Sequence, residues 1–118
     1  MKYQESQEMY LETILTLKNR ISHVRSIDVA NELNFSRPSV SRAIKLLQQN
    51  GFVFVGKDGE IIFSKEGERK AKEILERHTL ITKLFVKLGA SEEVAEDNAC
   101  RIEHVVTDEL MQIIKKQI

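Results

Sequence analysis

Apolar residues recur at helical spacing from residue 3 to about residue 20. Tyr10, Ile14, Leu17 and Ile21 mark one stripe, with Met9 and Glu12 on an adjoining face. Ser26 is placed to cap a short helix over 27–33, after which Asn34-Phe35 turns the chain. Ser36 caps the next helix, Pro38 sits in its first turn, and Val40, Ile44 and Leu47 form its buried stripe. Asn50-Gly51 stops that helix near Gln49. The period then changes. Phe52-Val53-Phe54-Val55 and Glu60-Ile61-Ile62-Phe63 read as strands joined by a hairpin at Lys57-Asp58-Gly59. Ser64 caps a long helix to Leu88, Ser91 a second from Glu92 to about Val106, and Thr107 a third to about Lys116. The pattern predicts a mainly α fold: a winged helix-turn-helix over 1–63, then a helical domain over 64–118.

At 118 residues the chain is long enough for one domain or two small ones. Its single cysteine excludes an intramolecular disulfide and fits a reducing compartment. The first residues lack an apolar signal core, and no stretch has the length of a membrane span, so a soluble cytoplasmic protein is expected. Net charge is zero, but charge is unevenly distributed. Leu33 to Lys57 contains no acid and carries Arg37, Arg42, Lys45 and Lys57. Ser91 to Glu109 holds seven acids against Arg101 alone. A basic middle suits polyanions and an acidic end suits cations.

On the third helix, Ser36, Arg37, Ser39, Ser41, Arg42 and Lys45 point away from the Val40/Ile44/Leu47 stripe. These donors suit phosphates and the acceptor edge of guanine, with no carboxylate to repel either, so double-stranded DNA is the expected partner. The alternative is an inert solvated face. Farther on, Cys100, Glu103 and His104 stand at i, i+3 and i+4, so a continuous helix sends all three from one face. Thiolate, carboxylate and imidazole are three metal-ligand chemistries. Against that, a lone helical cysteine is usually a small buried hydrophobe and a Glu-His pair usually surface. Cys100 and His104 as nucleophile and base would lack an orienting third group and an oxyanion loop, so no enzyme is expected. A metal-storage protein would leave the basic helix unexplained.

Three runs carry a resemblance: Glu8-Met9-Tyr10-Leu11-Glu12-Thr13-Ile14, Ser36-Arg37-Pro38-Ser39-Val40-Ser41, and Ala99-Cys100-Arg101-Ile102-Glu103-His104-Val105. With Arg77-His78 they span nearly the whole chain, which resembles the diphtheria-toxin-repressor family of iron- and manganese-dependent transcriptional repressors. The resemblance implies a homodimer that binds a palindromic operator when loaded with divalent metal. It implies a main site of Met9, Cys100, Glu103 and His104. From the residues alone, Met9 reads as core. An ancillary site in the iron branch draws on positions matching His78, Thr82 and Glu96; a carboxylate is replaced here by Thr82 and a His by Glu96. The manganese branch has carboxylates in place of Met9 and Cys100, and one matching Glu12. Soft thioether and thiolate argue for Fe2+ over Mn2+, and allow Zn2+, Co2+ or Ni2+ in vitro. The metal-free protein is expected to hold an acidic, uncompensated cluster. Lys57 joins the DNA contacts as the wing's cation. Leu80, Leu84, Phe85 and Leu88 are candidates for the dimer surface or for intrachain core. The alternative function is a winged-helix transcription factor responding to another ligand or to none.

Overall fold

The computed structural model describes residues 6–118, so the Tyr3 end of the first predicted helix lies outside the described residues. The described residues form α1 (Gln7–Lys18), α2 (Ser26–Leu33), α3 (Arg37–Gln49), β1 (Val53–Val55), β2 (Ile61–Phe63), α4 (Lys65–Lys87), α5 (Glu92–Ile102) and α6 (Asp108–Lys116). Two compact units result, one running through Lys72 and the other starting at Glu73.

In the first unit, Ser6 caps α1 by accepting from the Met9 amide at 3.1 Å. Tyr10, Leu11, Ile14 and Leu17 are buried along the predicted stripe. Ile21 is not: α1 ends at Lys18 and Ile21 is exposed beyond it. α2 begins one residue earlier than expected. Ser26 is its first residue, Arg25 its N-cap, and the Asp28 carboxylate accepts from the Arg25 amide at 2.8 Å. Asn34 closes α2 in the left-handed region (φ 57°), which makes the three-residue link to α3 possible. Ser36 caps α3, accepting from the Ser39 amide at 3.3 Å, with Pro38 in the first turn where its missing N–H costs nothing. Val40, Ile44 and Leu47 are buried, as their spacing predicts.

The strands pair antiparallel, Val53 with Phe63, Phe54 with Ile62 and Val55 with Ile61. Each is a residue shorter at its first end than the apolar runs suggest. Val53 and Ile61 face the core, and Ile61 also donates to the Val24 carbonyl at 2.8 Å. Gly59 (φ 83°) supplies the hairpin's left-handed residue. The Ser64 hydroxyl donates to the Gly51 carbonyl at 2.6 Å and accepts from the Gly67 amide at 3.0 Å, so one side chain ties the base of the wing to α4.

The second unit has a core of Ile81, Ala99, Met111 and Ile114, with Leu80, Leu84, Phe85, Ile102 and Val106 packed against it. Of the four residues considered for a dimer surface, Leu80, Leu84 and Phe85 therefore contribute to intrachain packing, while Leu88 is 75% exposed. α5 is four residues shorter than predicted, ending at Ile102. Glu103 is its C-cap, still in the right-handed region, and His104 lies in the turn beyond.

At Gly67, α4 passes close to the backbone that leads into β1. A Cβ there would meet the Phe52 carbonyl oxygen at 1.9 Å, a backbone atom that cannot rotate away. Gly67→Ala should therefore destabilise the protein by about 1–3 kcal/mol despite the better helix propensity of alanine. Urea unfolding measures this, and a stability equal to or above wild type would contradict it.

Candidate metal centre and nucleic-acid interface

The C-terminal halves of α4 and α5 face each other within the second unit and bring three donors together. His78 comes from α4, Cys100 from the final turn of α5, and Glu103 from its C-cap. One donor atom of each lies within 4.8 Å of the others. Glu103 Oε2 is 2.7 Å from His78 Nδ1, and Cys100 Sγ is 3.7 Å from the same nitrogen. His104 Nε2 is 3.3 Å from the other Glu103 oxygen, Oε1. Glu103 is 1% exposed, the one charged residue among the buried side chains described.

A carboxylate with so little access to water needs a compensating charge. The Cys100 sulfur and the Glu103 carboxylate supply the reason for one on His78, and together they push its pKa up from 6.5 to about 10. The metal-free cluster is thus an imidazolium–carboxylate pair, not the uncompensated acidic cluster expected from sequence. His78 itself appears there only through the resemblance. Twenty-two residues separate it from Cys100, and only the packing of α4 on α5 brings the two together.

Two further candidate positions of the second unit do not join these three donors. Thr82 spends its hydroxyl on the His78 carbonyl at 2.7 Å. Glu96 is exposed on α5 and is not grouped with His78, Cys100 and Glu103. Met9 is buried on α1, and Glu12 is half-buried on the same helix. An imidazole, a thiol and a carboxylate fit a borderline divalent cation by donor chemistry.

In the first unit, Arg37, Pro38, Ser41, Arg42 and Lys45 are exposed on α3, as are Ser36 at its cap and Lys57 in the wing; Ser39 is half-buried. Ser36 Oγ donates to Ser39 Oγ at 2.9 Å, and Arg42 reaches the same oxygen at 3.4 Å. The hairpin tip is held by Arg25. Its Nε donates to the Asp58 carbonyl at 3.1 Å, and a terminal nitrogen is 3.3 Å from the Asp58 carboxylate. The sequence reading passed over Arg25, because a partner 33 residues away leaves no local signal.

A winged helix-turn-helix with a cationic, acid-free recognition face, in one chain with a helical unit that gathers metal-type donors, defines a metal-responsive DNA-binding regulator. Residues 2–61 match the iron dependent repressor N-terminal DNA-binding domain, and residues 64–118 match the iron dependent repressor metal-binding and dimerisation domain. The chain belongs to the iron-dependent repressor family. It is 30% identical to the transcriptional regulator MntR of Escherichia coli O6:H1 over 106 residues, covering 90% of this chain and 68% of that protein. It is 31% identical to the diphtheria toxin repressor of Corynebacterium jeikeium over 113 residues, 94% of this chain and 47% of the relative. A solved manganese-dependent transcriptional repressor in complex with manganese superposes with a TM-score of 0.86 at 27% identity, over 95% of this chain and 52% of that one. The chain thus spans between about half and two thirds of the length of these proteins. Both named relatives are regulators, not enzymes. No helix among the described residues is long and apolar enough to cross a membrane.

The raised His78 pKa has a definite sign for stability. The pairing stabilises the folded metal-free protein fully below pH 6.5, and that contribution is lost as pH rises towards about 10. In chelator-treated protein, the His78 ring proton followed by NMR should titrate near pH 10, and Glu103→Gln should bring the midpoint down towards 6.5. A wild-type midpoint near 6.5 would remove the pair.

Proposed function

We propose that this chain acts as a metal-responsive repressor in the cytoplasm, a homodimer that binds a palindromic operator once a divalent cation is seated at His78, Cys100, Glu103 and His104. The observation that carries the reading is the gathering of imidazole, thiol and buried carboxylate within 4.8 Å. It falls in the residues that match a metal-binding and dimerisation domain. The motif resemblance adds Met9 to the ligand set and offers Glu12 and Glu96 as further ligands.

A bound divalent cation supplies positive charge and Lewis acidity at the cluster. The rest is done by the side chains. His78 gives up its proton to offer a lone pair from Nδ1. Cys100 offers a thiolate, and Glu103 keeps a cationic partner throughout, the cation taking the place of the imidazolium. Softness in this set favours Fe2+ over Mn2+ and admits Zn2+, Co2+ and Ni2+ in vitro. Exposed Leu88, Val94, Leu110 and Ile113 of the second unit are the apolar surface available to a second copy. A symmetric pair of recognition helices about 34–36 Å apart then enters successive major grooves.

The test is selection from a random duplex pool under anaerobic Fe2+, followed by gel retardation with and without chelator. The selected duplexes should carry inverted half-sites and lose the protein on chelation. Fe2+ should half-activate at a lower concentration than Mn2+. Cys100→Ala and His104→Ala should abolish metal activation while remaining folded dimers. Binding that ignores chelator would assign the wing to a regulator of some other ligand, and an unaltered metal response in His104→Ala would remove that residue from the site.

On the DNA side, Ser36, Pro38, Ser39 and Arg42 at the start and exposed face of α3 are assigned to base edges. Arg37, Ser41, Lys45 and Lys57 are assigned to phosphates. Arg42→Ala should cost about 1–3 kcal/mol at one base position and relax specificity there. Lys57→Ala should weaken operator and scrambled duplex alike and reduce the salt slope by roughly one unit. Binding isotherms at several salt concentrations distinguish the two. Equal weakening of both duplexes by Arg42→Ala would make it a phosphate contact.

A further inference from the structure

We propose that Arg77 is a positioning residue for the metal centre: its guanidinium fixes the turn that presents Glu103 and His104. The proposal rests on the metal reading above. Its starting point is that α5 stops at Ile102, so the two ligands stand where the helix no longer holds them. The amides there still bond backward, Glu103 to Ala99, and Val105 and Val106 to Ile102. The carbonyls have no helix ahead to accept for. Arg77 takes that place. One of its terminal nitrogens donates to the Glu103 carbonyl at 3.1 Å and to the Val106 carbonyl, and the other donates to the Asp108 carboxylate.

A single planar group thus brackets residues 103–106 at both ends and reaches the first turn of α6. The fork geometry suits this task, and a lysine ammonium has no equivalent spread of donors. The arginine side chain is 16% exposed and Asp108 is 86% exposed, so the two carbonyl contacts are the buried part of the bridge. Arg77 also directly precedes His78 on α4. One short stretch of helix therefore supplies a ligand with one residue and sets the placement of two others with its neighbour.

Charge and position predict opposite outcomes, which makes the role measurable. Arg77 is a cation beside a cation site, so on Coulomb grounds alone its removal tightens metal binding. If it positions the turn, its removal loosens binding. Such outer residues typically contribute about 10–100-fold to metal affinity. The experiment uses the full chain, anaerobically, with Co2+ as the probe. Affinity, the visible d–d bands and the thiolate charge-transfer band are read in wild type, Arg77→Met, Arg77→Lys and Asp108→Asn, with thermal melts of the chelated proteins alongside.

Arg77→Met and Arg77→Lys should each weaken Co2+ by about tenfold or more and shift the d–d bands. Asp108→Asn, which leaves both carbonyl contacts, should stay near wild type. Should Arg77→Met fail to fold, Arg77→Lys decides, since it keeps the charge and loses the fork. Wild-type affinity and spectrum in Arg77→Lys, or tighter binding in Arg77→Met, overturns the inference while leaving the metal reading intact. A wild-type Co2+ spectrum that Cys100→Ala leaves unchanged overturns both.

Discussion

Burying a carboxylate at 1% exposure requires a positive charge to be buried with it. In the helical unit that carboxylate is Glu103, and the charge is the proton His78 retains to about pH 10. This pairing ties α4 to the end of α5, because His78 is on one helix, Glu103 caps the other, and the contact is 2.7 Å. It also gives the cluster its chemistry. A site that holds a proton against a buried carboxylate and a thiol is a site where a divalent cation can compete with that proton. Cation occupancy then becomes pH-dependent through His78 itself.

Most of the DNA-binding unit was legible because its signals are local. Ser36 before Pro38, the Val40/Ile44/Leu47 spacing, Asn50-Gly51 and the Asp58-Gly59 turn each act within a few residues, and each appears where it was read. Ile21 misled because its spacing continues the α1 stripe, although the helix ends at Lys18. At α2, a serine one residue from the true cap was taken for it, while Asp28 bonding back to Arg25 makes the start. The wing's anchoring by Arg25 could not be read, since its partner is on the hairpin.

The end of α5 failed for a more informative reason. Nothing between Glu103 and Val106 breaks a helix: there is no glycine or proline, and Ile102 and Val106 keep helical spacing. The chain leaves the helix because Arg77, 26 and 29 residues earlier, accommodates the carbonyls of Glu103 and Val106. The local sequence offers no sharp stop before Thr107, only the weak helix formers His104, Val105 and Val106, and a tertiary contact sets the end. The donor cluster was half legible for the same reason. Cys100, Glu103 and His104 were found by spacing, whereas His78 enters through packing between helices.

The serine pair at the start of α3 sets a direction for protons on that face. A hydroxyl has one proton to give. Ser36 gives its proton to Ser39 and uses its oxygen to receive the Ser39 amide, so its one proton is committed to the cap. Ser39 Oγ receives from Ser36 and from Arg42. Its own proton is left to point outward from a doubly polarised oxygen. An acceptor approaching α3, whether phosphate oxygen or guanine edge, therefore meets a donor prepared by its neighbours, and a donor approaching the same point finds no lone pair waiting.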